Sequence, residues 1–320
     1  MTIHEALASP VFRLYVIIAV GVLAGAGTVL ALLRFVLKKD VGKVVTIYKS
    51  WLIMAPLMLG CVFLGRVPFI IAVTLLAIAG FKEFGRATGL YEDWWMTGIG
   101  YLAIVCVAAS ALLRDPGDGS PGWFGFFMSS PVYAIAAILL IPILRNRVQG
   151  QLQALSLTIV GFIYVGWMFG HLAFLANADQ GRAYAYILYL LLAVELNDVA
   201  AFTFGKAFGK HPFRSVISPK KTWEGALGAL AVSMALPWLL RGTFPHFEAI
   251  HLLWTGAIVG IGGQLGDLSI SVIKRDVGIK DMGAAIPGHG GILDRIDSLI
   301  YTAPLFFHML NYFFYVKAPA

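Results

Sequence analysis

The stretch LYVIIAVGVLAGAGTVLALL, residues 14–33, contains no charged side chain. A helix needs about 20 apolar residues to cross the hydrocarbon core of a bilayer. Similar runs recur along the chain, so that 59% of its 320 residues are hydrophobic and only 13% are charged. Soluble domains carry about 45–50% apolar and about 25% charged residues. The sequence therefore predicts an all-α fold, a polytopic transmembrane helical bundle.

Ten segments are candidate spans. They are residues 12–37, 49–65, 67–81, 96–113, 131–145, 153–176, 183–204, 223–240, 249–273 and 298–316. The first lacks a preceding basic region and a clear cleavage site, so we expect a retained span and no signal peptide. Because no linker divides the spans, we expect a single integral membrane domain over residues 1–320.

The distribution of Lys and Arg tests this count, because these residues concentrate near the cytoplasmic ends of spans. With the N-terminus outside, ten spans place 18 of the 24 Lys and Arg residues in inner segments. The outer segments hold one each, namely Arg13, Arg66, Arg114, Arg182, Arg241 and Lys317. This asymmetry predicts that both termini lie outside in a multi-pass protein of the cell membrane, which we expect to be a bacterial inner membrane.

The net charge of +7 comes from the inner segments. A basic face suits anionic lipid or a nucleotide. Nucleic-acid binding would need a soluble basic domain, which the sequence does not contain, so we expect no nucleic-acid partner. Polar chemistry is concentrated in residues 190–300, whereas residues 1–180 hold almost no acid at membrane depth. We therefore expect the first part to be mainly scaffold spans and the second to be the catalytic part.

Acidic residues in the later spans indicate a site. Ionisable groups in a span are costly and usually face a cavity or a partner. Glu195 and Asp198 are three residues apart and share a helix face. Asp267 is followed by Ser271 and Lys274 at four and seven residues, again on one face. Ion pairing between spans is the alternative for any one acid, but three acids near the inner ends favour a site.

The basic loop before the eighth span contains Ser218, Lys220 and Lys221 and ends at Thr222. Thr222 is a typical N-cap, with Glu224 in the first turn of the helix. Free backbone N–H groups at a helix start, combined with ammonium groups, suit a phosphate. The alternative is an ordinary basic inner loop.

Residues 266–298 are the densest polar stretch, with five aspartates and four cations. Carboxylates bind Mg²⁺ through oxygen, and Mg²⁺ commonly shares them with substrate phosphates. The glycines around His289 permit a tight turn whose N–H groups can face an anion. His289 has no second histidine at zinc spacing, so we expect it to bind phosphate or brace the turn. The alternative for the whole stretch is a charged loop that pairs with itself.

At this point the sequence resembles the phosphatidate cytidylyltransferase family, the CDP-diacylglycerol synthases. The family signature is matched by Ser271, Lys274-Arg275, Lys280-Asp281, His289-Gly290-Gly291 and Asp294-Arg295-Ile296-Asp297. Upstream matches are the 218–225 segment, Gly266-Asp267-Leu268, and Asp198 ahead of Phe204-Gly205-Lys206. The resemblance is strong over about 190–300 and weak before it, where Glu83 with Arg86 is the only suggestive match. Ile270, Met282 and Asn197 depart from the residue types usual in the family.

The resemblance implies an enzyme that uses CTP and membrane-embedded phosphatidate to make CDP-diacylglycerol and pyrophosphate, for phospholipid biosynthesis. It implies Mg²⁺, leaves open a second cation and a homodimer, and places the active site on the cytoplasmic side. The implied metal ligands are Asp267 and Asp294, with Asp198, Asp281 and Asp297 as further candidates. The implied phosphate-binding cations are Lys220, Lys221, Lys274, Arg275, Lys280 and Arg295. The other implied substrate-binding residues are Ser218, Thr222, Ser271, His289, Gly290 and Gly291.

Other functions remain open on the sequence alone. A CTP-dependent kinase of a long-chain lipid alcohol would use attack at the γ-phosphorus of CTP. A diverged paralogue would act on another lipid phosphate. A transporter or channel would spread its acids across membrane depth, whereas here they gather at the inner face. An inactive scaffold would not need an intact set of acids and lysines.

Overall fold

The computed structural model describes residues 1–178 and 181–316, and the chain folds there almost entirely into helices. Lys317, counted above in the outer segments, lies outside the described residues. In chain order the helices are α1 (Ile3–Ala8), α2 (Pro10–Ala31), α3 (Gly42–Leu64), α4 (Arg66–Ala87), α5 (Trp94–Leu112), α6 (Phe124–Leu144), α7 (Gln151–Gly161), α8 (Phe169–Phe174), α9 (Arg182–Phe208), α10 (Trp223–Leu239), α11 (Ala249–Asp276) and α12 (Leu293–Leu310). Helices α7 and α8 are joined by a π-helical segment, Phe162–Met168, and form one long rod.

The predicted helical bundle is confirmed. Eight helical segments in the described part of the chain are long and apolar enough to cross a membrane. The other two predicted spans also coincide with helices, α10 and α12. Helix α10 has 17 residues, and α12 carries Asp294, Arg295 and Asp297 at its start. The number of crossings and the side on which each terminus lies stay predictions.

Local sequence explains where the first helices begin. Ser9 accepts a hydrogen bond from the backbone N–H of Phe12, and Pro10 occupies the first turn of α2. Ser is a favoured N-cap, and Pro is tolerated at this position because its missing N–H would have no helical partner. Gly65 separates α3 from α4 with φ of 108°. Only glycine adopts this conformation without strain, so one residue is enough to turn the chain.

The second half of the chain packs as a sequential bundle in which α9 contacts α10, α10 contacts α11 and α11 contacts α12. Helices α4 and α8 cover α12 from the first half. Glycines allow the closest approaches: a Cβ on Gly266 would overlap the backbone of Asp297, and a Cβ on Gly225 would overlap that of Ala201. Small residues let helix backbones approach in this way. The acids of α9, α11 and α12 are consequently brought towards one another.

The segment between α9 and α10, predicted as a basic loop, contains regular structure. Helix α9 continues to Phe208, and an antiparallel hairpin follows, made of β1 (Pro212–Arg214) and β2 (Ser218–Thr222). The backbone N–H of Trp223 donates to the carbonyl of His211, at 2.9 Å, which closes the hairpin onto α10. The strands have only three and five residues and are mostly polar, so no hydrophobic alternation in the sequence indicated the hairpin.

Candidate functional site

Strand β2 separates the two lysines predicted to bind phosphate. Successive side chains of a strand point to opposite faces. Lys220 is exposed, whereas Lys221 turns inward and its Nζ lies 2.6 Å from Oδ2 of Asp267 and 3.5 Å from Oε1 of Gln264. Thr222 accepts a hydrogen bond from the N–H of Gly225 at 3.2 Å, which confirms the predicted N-cap. The hairpin therefore aims Lys221 at the acid of α11.

Three aspartates from three helices form what we call the acid cluster: Asp198 of α9, Asp267 of α11 and Asp297 of α12. Asp198 interacts electrostatically with Asp267, and Asp297 interacts with both. Lys221 and Arg295 supply the opposing positive charge. Asp198 is exposed and Asp267 is partly exposed, whereas Asp297 is 6% exposed. The cluster thus has a buried side and a side open to a ligand.

Further contacts fix the position of the acid cluster. The Ser271 hydroxyl donates to Oδ1 of Asp267 at 3.3 Å, which confirms that the two share a helix face. The hydroxyls of Ser298 and Tyr164 donate to the carbonyls of Gly263 and Gly266, at 3.0 and 3.2 Å. Neither contact was predicted, because each joins residues far apart in the sequence.

A second group, which we call the turn cluster, consists of Glu83, Lys274, Asp294 and the backbone N–H groups of 282 and 291–293. The Nζ of Lys274 lies 2.8 Å from Oδ1 of Asp294. Oδ2 of Asp294 accepts hydrogen bonds from the N–H groups of Met282 and Gly291, at 2.9 and 3.0 Å. Lys274 and Asp294 are both buried. Both oxygens of Asp294 are therefore already engaged, and its predicted role as a metal ligand stays a prediction.

Glu83, at the end of α4, belongs to the turn cluster although it lies far away in sequence. Its two carboxylate oxygens accept hydrogen bonds from the N–H groups of Ile292 and Leu293, at 3.0 and 2.8 Å. Another contact from the first half is the hydroxyl of Ser50, which donates to the carbonyl of Pro287 at 2.7 Å. The sequence signal for Glu83 was its suggestive match, with Arg86, to the family pattern, and no sequence signal indicated Ser50.

The glycine-rich turn adopts the tight conformation that its sequence predicts. Gly288 and Gly290 have φ of 78° and 87°. The ring Nδ1 of His289 lies 3.4 Å from the carbonyl of Pro287, and its ring packs edge-on against Trp51. Partial burial lowers the pKa of His289, and the nearby Arg295 lowers it further, against the effect of the Pro287 carbonyl. These contacts favour turn bracing by a neutral imidazole over phosphate binding.

The remaining predicted residues lie around the opening of the site. Arg275 donates to the carbonyls of Ile217 and Ile279, at 3.2 and 3.3 Å, and so joins the hairpin to the loop after α11. Lys280, Asp281 and Arg295 are exposed, and Ser218 is half-buried. The structure therefore brings the predicted residues to one end of the bundle, divided between an open and a closed group.

The donor atoms of the acid cluster fit Mg²⁺, which prefers carboxylate oxygens and keeps several water or phosphate ligands of its own. Within the described residues, no three His, Cys, Asp or Glu side chains are arranged as a ready-made metal cage. Lys221 is the cation that Asp267 holds in this arrangement. Metal binding by Asp198, Asp267 and Asp297 therefore stays a prediction.

The three departures from the family pattern lie in packed surroundings. Ile270 and Asn197 are 0% exposed and Met282 is 5% exposed. Asn197 accepts a hydrogen bond from Ser233 at 3.1 Å and lies against Gly263. Asn197 adjoins Asp198 of the acid cluster, and the backbone N–H of Met282 donates to Oδ2 of Asp294.

Comparison with known proteins defines the class. Residues 46–313 match the cytidylyltransferase family, so the chain belongs to this family, whose members are nucleotidyltransferases. A phosphatidate cytidylyltransferase of Staphylococcus haemolyticus is 37% identical over 210 residues, which are 64% of this chain and 76% of that protein. One of Staphylococcus aureus strain COL is 42% identical over 163 residues, 50% of this chain and 60% of that protein. The uncharacterized protein YnbB of Escherichia coli K12 is 35% identical over 191 residues, 58% of this chain and 64% of its own length.

Proposed function

We propose that this protein transfers the cytidylyl group of CTP to phosphatidate, giving CDP-diacylglycerol and pyrophosphate. The observation that carries the proposal is the family match over residues 46–313, a range that contains both the acid cluster and the turn cluster. The names of the staphylococcal relatives support phosphatidate as the lipid. The helical bundle supports a substrate that stays in the bilayer while CTP arrives from water.

The reaction needs positioning and charge neutralisation more than covalent catalysis. A phosphate oxygen of the lipid attacks the α-phosphorus of CTP, and the bond from that phosphorus to the bridging oxygen breaks. Pyrophosphate leaves with the electron pair. Arg275, Lys280 and Arg295 are exposed, and with Lys221 they can hold phosphate oxygens. Lys220 lies on the opposite face of β2, so its role in phosphate binding stays a prediction. Lys274 is bound to Asp294, so its role in phosphate binding stays a prediction.

We propose Mg²⁺ as the cofactor, held by Asp198, Asp267 and Asp297. Bound there, it would neutralise phosphate charge in the reacting complex. The ion pair between Lys221 and Asp267 would then open, which would free the ammonium for the triphosphate. Binding of a second cation stays a prediction, as does metal ligation by Asp281 and Asp294. A homodimer also stays a prediction.

Labelled CTP tests the reaction against its nearest alternative. Purified protein, phosphatidate and Mg²⁺ should move the label of α-³²P-CTP into lipid and release pyrophosphate. A kinase of a lipid alcohol would instead move the γ-label into lipid. Other lipid phosphates in place of phosphatidate test the diverged paralogue. If no lipid phosphate takes up the α-label while CTP still binds, the proposed reaction is wrong.

We also propose that the site faces the cytoplasm of a bacterial cell. Cysteines placed at Lys210 and Asp118, both exposed, report on opposite ends of the bundle. The background should lack Cys61 and Cys106, the free cysteines of the described chain. A membrane-impermeant maleimide should label position 118, but not 210, in intact spheroplasts. The reverse pattern would overturn the orientation.

A further inference from the structure

The carboxylate of Glu83 joins two parts of the chain that are about 200 residues apart. It lies in the last two turns of α4 and accepts from two consecutive backbone N–H groups, those of Ile292 and Leu293. Leu293 is the first residue of α12 and Ile292 is its N-cap. The first N–H groups of a helix have no partner within it, and the helix dipole favours a negative charge there. Glu83 therefore acts as a cap supplied by a different helix.

Two glycines of the turn after α11 lie against this carboxylate. A Cβ on either Gly283 or Gly291 would overlap the oxygens of Glu83. Both ends of the turn after α11 thus converge on one side chain. A larger side chain at either position would displace the carboxylate of Glu83 from these contacts.

The start of α12 in turn positions groups of the acid cluster. Arg295 and Asp297 lie in its first two turns, and both interact electrostatically with Asp198. Asp294 lies between them and the cap, and holds the same turn through Gly291. A rotation or fraying of this helix end would displace Arg295 and Asp297 together.

We propose that Glu83 is a positioning residue: by capping α12 it holds Arg295 and Asp297 towards Asp198 and Asp267. It contacts no reacting atom, and its effect passes through α12. Only the kinetic test of this inference rests on the proposed function. It also means that α4, in the part predicted to be scaffold, supplies a side chain on which the site depends.

The test compares Glu83→Ala and Glu83→Gln with the matched control Glu92→Ala, which removes an exposed carboxylate from the same end of the bundle. Alanine removes both acceptors. Glutamine keeps one acceptor and sets an NH₂ group against the other N–H. We expect kcat to fall about 10²-fold in Glu83→Ala, in keeping with the cost of misplacing reacting groups. It should fall less in Glu83→Gln and stay unchanged in Glu92→Ala.

Two further measurements separate positioning from a merely structural role. The KM for CTP should change far less than kcat, and amide exchange should accelerate at residues 281–293 without a matching change in α5 or α6. A kcat per folded molecule equal to wild type in Glu83→Ala would overturn the inference, as would unchanged exchange at Ile292 and Leu293. If the alanine variant does not fold, Glu83→Gln decides by the same criteria. If the wild-type protein shows no turnover, the proposed reaction fails, and the exchange experiment still decides whether the cap exists.

Discussion

The acid cluster and the turn cluster are built from the same residue types, but their carboxylates differ in how many hydrogen-bond and ion-pair partners they have. Asp294 has both oxygens hydrogen-bonded and is buried. Asp267 has one ammonium and one weak hydroxyl partner and is partly exposed. A carboxylate with a complete set of donors holds structure, whereas one with an open side can exchange its partner for a ligand. The positions of Asp294 and Asp267 in the family signature do not distinguish these two cases, but the contacts around each carboxylate do.

The comparison predicts the largest loss of activity at Asp267. Asp267→Asn should lower kcat at least about 10²-fold, the usual cost of losing a site-critical group. The fold should persist, because the carboxylate lies partly in the open and its lysine partner can reach water. A turnover assay measures the fall in kcat, and a thermal-unfolding scan in detergent shows whether the fold persists. Activity above about a tenth of wild type would remove Asp267 from the essential set.

At Asp294 we expect a loss of stability together with activity. Asp294→Asn leaves the buried ammonium of Lys274 without a counter-charge, and breaking a buried pair on one side costs about 3–5 kcal/mol. The apparent unfolding temperature should therefore fall clearly below that of Asp267→Asn. The double variant Lys274→Met with Asp294→Asn should regain part of the stability without regaining activity, because it removes the unpaired ammonium and keeps an acceptor for the N–H groups of Met282 and Gly291. If Asp294→Asn and Asp267→Asn are equally stable, the proposed difference between the two clusters is wrong.

A smaller effect is expected at Lys221, which faces the acid cluster, than at the acids themselves. Lys221→Ala should raise the KM for CTP about tenfold or more, since hydrogen bonds to charged groups contribute about 1.5–3 kcal/mol. The KM for phosphatidate should change less. Lys220→Ala is the matched control, because Lys220 lies on the opposite face of β2 and is exposed. If both variants have the same kinetic constants, the hairpin does not orient a nucleotide-binding lysine.

The smallest effect should appear at Ser271, whose hydroxyl donates to Asp267. Ser271→Ala should lower activity several-fold, because a single hydrogen bond contributes about 0.5–1.5 kcal/mol. Ser269→Ala serves as the control, since Ser269 donates only to the carbonyl of Leu265, in its own helix. Kinetic constants for the two variants, measured on equal amounts of folded protein, show whether the Asp267 contact matters.

Hydropathy, local spacing and the family signature were sufficient to predict the class of fold and the residue types of the site. Long apolar runs have no stable form in a bilayer except helices that satisfy their own backbone, so the bundle follows from hydropathy. Local chemistry also predicted the Thr222 cap and the shared face of Asp267 and Ser271, because each depends on residues three or four positions apart. The family signature indicated which residues gather at the site.

The partners of each acid, in contrast, depend on contacts between helices that are far apart in the sequence. Asp294 and Asp297 stand three residues apart on one helix, yet one closes the turn and the other joins the acid cluster. The deciding partners are Lys274, Lys221 and Glu83, which come from other elements and from as far as about 200 residues away. Such partners are set by how closely the helix backbones approach at glycines, and hydropathy carries no information about that distance.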